Sequence, residues 1–298
     1  MEVLAVTRTQ HAGKTLLCTF LLCCASLVQA QDAAALQARN IALQTQLGNS
    51  QFDKPLHLES TEQPDALQGD IYARIDQPFA VVSPALLGAT HWCGILILHL
   101  NVKSCRTGLS AASDTISVTV GRKFDQPLAD GYLFEFKYRV TRRDADYQQV
   151  TLSAPTGPLG TRDYRIVLEV ASLDATHSFL HMSYAYRYGA MARLAMQGYL
   201  ATGGRHKIGF TRIGSKPNGQ PGHIGGQRGV VERNTMRYYL AIMAYLGALA
   251  TPAAQQINRR LHDWHASIEK YPAQLHELDR QQYLDMKHRE ILRQQSAP

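Results

Sequence analysis

The 298-residue chain carries 31 Lys and Arg against 24 Asp and Glu, a formal charge of +7. The basic residues are scattered through predicted strands and a loop. With no nucleic-acid motif beside them they read as a solvated basic face, and a nucleic-acid partner is excluded. The length suffices for one large domain with a real core, and neither an internal repeat nor a second core is visible.

The amino-terminal stretch has the make-up of a secretory signal. Arg8 and Lys14 supply the basic start, 15–28 (TLLCTFLLCCASLV) the apolar core, and Val28-Gln29-Ala30 small residues for cleavage after Ala30. The apolar core is short for an uncleaved membrane anchor, and a cysteine directly before the acceptor fits a lipoprotein signal poorly. The expectation is therefore a signal peptide over 1–30 and an exported chain. The absence of any Asn-x-Ser/Thr sequon favours a bacterial periplasm over a eukaryotic secretory route. Of the five cysteines, Cys18, Cys23 and Cys24 leave with the signal. Cys93 and Cys105 remain as a candidate disulfide, worth ~3 kcal/mol in the loop-entropy model. Two buried free thiols are the alternative.

Residues 31–55 form an Ala- and Gln-rich leader of modest helical periodicity, read as a marginal helix or mobile segment with no chemistry. A domain over 56–251 follows. A short strand is expected at 57–62. At 69–76 (GDIYARID) Ile71, Ala73 and Ile75 alternate with Tyr72 and Arg74, which is a strand signature. One or two helices are expected around 81–93, with Pro84 in a first turn, and Trp92 reads as helix packing. A strand begins at 101–106. Then come strands in series. At 115–120 Ile116, Val118 and Val120 share a face. At 131–143 Tyr132, Phe134, Phe136, Tyr138 and Val140 share one face while Glu135, Lys137 and Arg139 share the other. Strands at 146–154, at 164–170 (Tyr164, Ile166, Leu168, Val170) and at 176–188 (Leu180, Met182, Tyr184, Tyr186) complete the series. Short connections predict sequential antiparallel pairing.

A short helix is expected at 190–200, a last strand at 207–211 and a Gly/Pro loop at 214–229. The stretch 229–250 (GVVERNTMRYYLAIMAYLGALA) is a long helix. It starts polar and becomes apolar on nearly every side from Met236, with Gly229 before it and Pro252 after. Its apolar run is too short to span a bilayer of roughly 30 Å, so protein must cover it. After Pro252 the character turns polar. A helical tail is expected over 252–298, divided at Pro272, with Trp264, Ile268 and Tyr271 on one stripe.

No catalytic signature assembles. GHIGGQRG at 222–229 lacks the Rossmann or P-loop order and reads as a loop or lid. Glu232, assigned to a first helical turn, is accounted for by the macrodipole. Among the twelve histidines, His262, His265, His276 and His288 join no recognised zinc spacing and read as surface residues, so no metal and no cofactor are expected. His177 and His181 alternate on one strand face and are expected to face solvent. There is no Gly-x-Ser-x-Gly elbow.

Strand, helices, a run of antiparallel strands and one long terminal helix form the helix-grip order. Through GDIYARIDQPFAVVSPALL, the strand series ending in SFLHMSYAYRY, and GGQRGVVERNTMRYYLAIMAYL, the sequence resembles the START-like (Bet v 1-like, polyketide cyclase-like) superfamily over about 67–250. The resemblance implies an α+β fold: a curved antiparallel sheet wrapped around the long helix, enclosing an apolar cavity for a lipid, sterol or polyketide. The helical tail lies outside that pattern.

A curved sheet and one helix need not meet everywhere, and the gap can hold a ligand in roughly 300–1,000 Å³. The expected lining from the strands is Tyr132, Phe134, Phe136, Tyr138, Ile166, Leu168, Met182, Tyr184 and Tyr186. From the helix it is Met236, Tyr239, Leu240 and Met243, spaced i, i+3, i+4, i+7. The expected function is binding and transport of a hydrophobic small molecule or lipid by an exported protein. One alternative is a cyclase- or hydrolase-type enzyme using Tyr184, Tyr132 or His181 as acid–base groups. Another is an interaction protein whose tail engages a protein partner or a membrane surface.

Overall fold

The computed structural model describes residues 32–108, 114–215 and 219–296. The expected signal over 1–30, its cleavage site and Cys18, Cys23 and Cys24 lie outside them. Eight segments of alternating or continuous apolarity form strands: β1 (Leu56–Gln63), β2 (Ala66–Ile75), β3 (Val102–Thr107), β4 (Thr115–Val120), β5 (Tyr132–Arg143), β6 (Tyr147–Thr156), β7 (Thr161–Ser172) and β8 (Ser178–Tyr188). They make one antiparallel sheet in the order β1-β2-β8-β7-β6-β5-β4-β3. Sequential pairing holds from β3 to β8. One long-range pairing, β2 with β8, sets Ile71 opposite Met182 and Ala73 opposite Leu180.

The connecting helices are α1 (Ala33–Ala42), α2 (Gln44–Gly48), α3 (Phe79–Ala85), α4 (Ala89–Leu96) and α5 (Ala190–Ala201). The long helix is α6 (Gly226–Gly247), followed by α7 (Ala253–Ile268), α8 (Pro272–Leu275) and α9 (Arg280–Ser296). The whole is an α+β helix grip: a curved eight-stranded sheet holding a long helix, with a helical tail beyond. Among the described residues no single helix is long and apolar enough to cross a membrane.

α6 is buried on most sides because elements pack on it from both directions. β1, β2 and β8 lie on one side, and α4 and α7 cover others. It approaches β2 closely at Gly69, where an added Cβ would fall 2.3 Å from Thr235 Oγ1. Any side chain there would push helix from sheet. α7 is fastened by Trp264, whose Nε1–H donates to the Arg237 carbonyl. α9 is fastened to β3 by a buried triad in which Lys103 and Lys287 both pair with Glu290, at 2.9 and 2.8 Å. Lys287 also donates to the carbonyls of His99 and Val102, and the Cys105 N–H donates to Gln294 Oε1. Cys93 of α4 and Cys105 of β3 are joined by a disulfide.

Several elements depart from the sequence reading. The leader is helical and docked: Asp32 caps α1, and Leu36, Leu43 and Leu47 bury against Tyr147, Ala171 and Phe179 on the outer face of the sheet. Residues 207–211 are no strand, because Glu232 takes the Phe210 and Thr211 N–H groups at 2.6 and 3.0 Å. A small separate hairpin follows instead, β9 (Arg212–Ser215) with β10 (Pro221–His223). Glu232 itself is fully buried in the second turn of α6. It also accepts from Ser60 and the Thr211 hydroxyl, so it clamps a loop rather than answering the helix dipole. Pro84 sits late in α3, not in its first turn.

Candidate functional site

α6 packs on β1, β2 and β8, leaving space beside it at one end of the inner face of β4, β5 and β7. A cavity of about 340 Å³ occupies that space. Phe134 and Phe136 of β5, Tyr164 of β7 and Tyr184, Tyr186 and Tyr188 of β8 form its sheet wall. The pleat places these alternate residues on one face, and the β7–β8 pairing sets Ile166 opposite Tyr184. The rings pack on one another: Phe134 meets Tyr164 edge-on at 5.0 Å, and Tyr164 stacks on Tyr186 at 5.1 Å. Gln227, Val230, Asn234 and Tyr238 form the α6 wall. α5 adds Ala192, Ala195, Met196 and Tyr199, and the chain between α4 and β3 adds His99 and Asn101. No Asp, Glu, Lys or Arg is among the described lining residues. Near the α5 side, Met191 and Leu194 are 70% and 65% exposed, as is Leu159 at 54%.

The hydroxyls fall into two groups. Tyr164 donates to Thr161 Oγ1 and Tyr188 to the Gln63 carbonyl. Among the described residues, the hydroxyls of Tyr184, Tyr186 and Tyr238 have no protein hydrogen-bond partner. Burial pushes all three phenols above their ordinary range, so they are neutral donors at any physiological pH. His99 is buried, and its Nδ1 accepts from the Asn101 N–H, leaving the proton on Nε2. Burial first, and then the nearby cations Arg237 and Lys287, hold its pKa well below the usual histidine range. Neither His99 nor these three phenols is thus poised to exchange a proton near neutrality.

The sequence-predicted lining residues divide sharply. Phe134, Phe136, Tyr184 and Tyr186 stand on the wall. Ile166, Leu168 and Met182 are buried core residues that do not reach it. Tyr138 turns to α4, accepting the Gly88 N–H at 2.7 Å. Tyr132, at the strand end, is 49% exposed. On α6 the expected face is the wrong one. Met236, Tyr239 and Leu240 are buried among protein side chains and Met243 packs against the same core. The cavity instead faces Tyr238, about 200° around the helix from Met236. A helix covered on every side has apolar residues on every side, so apolar spacing cannot choose a face. The usable signal was polar: Gln227 and Asn234 share a face with Tyr238, at i, i+7 and i+11.

A second cluster lies on the opposite face of the sheet, beneath α1. His181 of β8 sits between two carboxylates, Asp70 of β2 at 3.0 Å and Glu169 of β7 at 2.6 Å. The Tyr147 hydroxyl donates to the other Glu169 oxygen at 2.5 Å. Tyr72 stacks on the His181 ring at 4.3 Å, and Arg39 of α1 lies over Tyr72. Burial alone would lower the His181 pKa, but the hydrogen bonds to Asp70 and Glu169 carry it up to about 9. Its partner Glu169 would be raised by burial and is instead lowered by His181 and Tyr147. His181 is therefore buried and charged, contrary to the expected solvent-facing position. Tyr184, Tyr132 and His181 are also not brought together: one lines the cavity, one is exposed and one is on the far face. Among the tail histidines, His265 is buried, with Nε2 3.0 Å from the Leu278 carbonyl, and His276 pairs with Glu269. Among the described residues no group of three His, Cys, Asp or Glu is placed to hold a metal.

The fold and site define a helix-grip domain with a partly open cavity whose described lining residues carry no Asp, Glu, Lys or Arg. No family model matches the chain, and no curated protein matches it. Solved structures similar to it include a START superfamily protein from Mycobacterium smegmatis, with 8% identity and a TM-score of 0.29, covering 46% of this chain and 90% of that one. Norcoclaurine synthase from Thalictrum flavum, in complex with dopamine and hydroxybenzaldehyde, has 11% identity and a TM-score of 0.31, covering 50% and 79%. CalU16 from Micromonospora echinospora has 10% identity and a TM-score of 0.30, covering 74% and 98%. At these TM-scores the likenesses carry no ligand or activity over to this chain, and the fold assignment rests on its own strand order and helix placement.

Proposed function

We propose that this protein binds an apolar small molecule or lipid in the cavity beside α6 and carries it through an aqueous compartment outside the cytoplasm. The single observation that carries the reading is an aromatic cavity of about 340 Å³ between the sheet, α6 and α5, with no charged side chain among its described lining residues, a size and lining suited to a small ligand. The proton inventory favours binding over acid–base catalysis. His99 is pushed well below neutrality and the wall phenols above their ordinary range, so neither is matched to work near pH 7. Export is supported by the Cys93–Cys105 disulfide, since such bridges persist in oxidising compartments. The tail's large apolar side chains, Trp264, Tyr283 and Met286, are buried within the domain. That supports the tail as part of the scaffold rather than a separate docking arm.

The test is uptake. Delipidated, folded protein is titrated with a fluorescent fatty acid and a fluorescent sterol, and lipids that copurify with it are identified by mass spectrometry. Micromolar binding of one class is expected. Failure to bind either probe, together with no copurifying apolar molecule, overturns the proposal.

A further inference from the structure

Two phenols on the sheet wall, Tyr184 and Tyr186, and one on the α6 wall, Tyr238, border the cavity without protein partners, whereas polar groups under cover are ordinarily hydrogen-bonded. The contrast is local. Tyr164 and Tyr188 of the same wall have committed their hydroxyls to Thr161 and Gln63. Tyr184, whose ring centroid lies 5.4 Å from that of Tyr238 and 5.7 Å from that of Tyr186, has not. Tyr184 comes from β8 and Tyr238 from α6, so both walls of the cavity present a free donor to the same space. Asn234, one turn before Tyr238, adds a polar side chain on that face.

We infer that the cavity selects an uncharged ligand bearing a carbonyl oxygen, held by the hydroxyls of Tyr184 and Tyr238; this deepens, and rests on, the reading of the cavity as a ligand site. A carbonyl oxygen has two lone pairs and can accept from two phenols at once while asking for no acceptor in return. A hydrocarbon would leave both hydroxyls buried and unpaired, which costs affinity. A carboxylate or an ammonium would be buried without a counter-charge, because no charged side chain lines the described wall. Of the cations that depress His99, Arg237 pairs with Glu277 and Lys287 with Glu290, and neither is among the described lining residues. The neutral state of the phenols, enforced by burial, keeps them donors.

The experiment uses three molecules with one ring skeleton: fluorene, 9-fluorenone and fluorene-9-carboxylate. Each is titrated into the delipidated full-length protein, with affinities measured by displacement of a fluorescent apolar probe. The inference predicts that fluorenone binds roughly five- to thirtyfold tighter than fluorene, the yield of one or two net hydrogen bonds, and that the carboxylate binds most weakly. In the double variant Tyr184→Phe/Tyr238→Phe, fluorene is expected to bind at least as tightly as to the unaltered protein, since it no longer strands two hydroxyls, while fluorenone loses its advantage. Retained fluorene binding doubles as the check that the variant is folded. The carbonyl stretch of bound fluorenone provides a second readout, shifted to lower frequency in the unaltered protein and not in the variant. Equal binding of fluorene and fluorenone, a preference for the carboxylate, or an advantage that survives both substitutions overturns the inference while leaving an apolar-ligand site standing. Binding of none of the three overturns the site itself and the inference with it.

Discussion

The two faces of the sheet use tyrosine, histidine and neighbouring aromatic rings to opposite ends. On the outer face, beneath α1, Tyr147 donates to Glu169, Glu169 holds His181, and His181 reaches Asp70, linking strands β6, β7, β8 and β2 in one bonded chain. On the inner side, Tyr184 and Tyr186 of β8 and Tyr238 of the facing helix α6 border open space with their hydroxyls uncommitted. A polar group under close cover must find its partner within the protein, since an unpaired one is costly. A polar group on a cavity wall can leave its bond for a guest. The outer cluster holds the strands together, and the inner one is free to recognise.

That contrast can be broken most forcefully on the outer face. Glu169→Ala leaves His181 with one carboxylate and Tyr147 with none, and should cost ~3–5 kcal/mol, the range for removing one partner of a buried charged pair. Urea unfolding followed by circular dichroism measures it. A loss under 1 kcal/mol would mean that the cluster is not holding the strands.

The next largest effect is in pH. His181 is raised from the ordinary 6.5 to about 9, so the folded state holds its proton more tightly than the unfolded chain. The stabilisation is fully present below pH 6.5 and is lost as pH rises through about 9, up to ~3 kcal/mol in all. Unfolding free energy should therefore fall between pH 6.5 and 9 in the natural protein. In His181→Gln the slope across that window should flatten. An unchanged slope in the variant would assign the dependence to another group.

The smallest effect sharpens the comparison most, because it sets the same substitution on both faces. Tyr147→Phe removes a hydroxyl bonded to a buried carboxylate and should cost ~1–3 kcal/mol. Tyr184→Phe removes one with no protein partner and should change stability by no more than ~0.5 kcal/mol in either direction. Equal costs would erase the distinction between the faces.

How much of this was written plainly in the chain depends on the range of the interaction. Period-2 alternation placed β4, β5 and β8 within a residue or two, because each strand's pattern is complete within itself. Gly and Pro punctuation located α6 only to within three residues at each end, since Gly229, expected before the helix, lies buried inside it. The α6 face toward the cavity was not legible from apolarity, since large apolar and aromatic residues run around the helix, Met236 fully buried in the core and Tyr238 part-buried beside the cavity. Neither was the His181 cluster, whose members meet only because β2 pairs with a strand over a hundred positions later, Tyr72 opposite His181. The leader's three leucines carried a signal for burial but none for where, and only the outer face of the assembled sheet supplies the place. Lys103, Lys287 and Glu290 read as ordinary surface charges until β3 and α9 are brought into contact.

The Lys103–Glu290–Lys287 triad has a bearing on how the molecule keeps to itself in a crowded solution. β3 is the terminal strand of the sheet, and a bare terminal strand is a template onto which another polypeptide can zip. α9 lies along that margin. Its Lys287 ammonium caps the Val102 carbonyl, and its Gln294 takes the Cys105 N–H, main-chain groups that an intruding strand would otherwise claim. α9 thereby fills the side of β3 on which another strand would pair, riveted by charges that water does not reach.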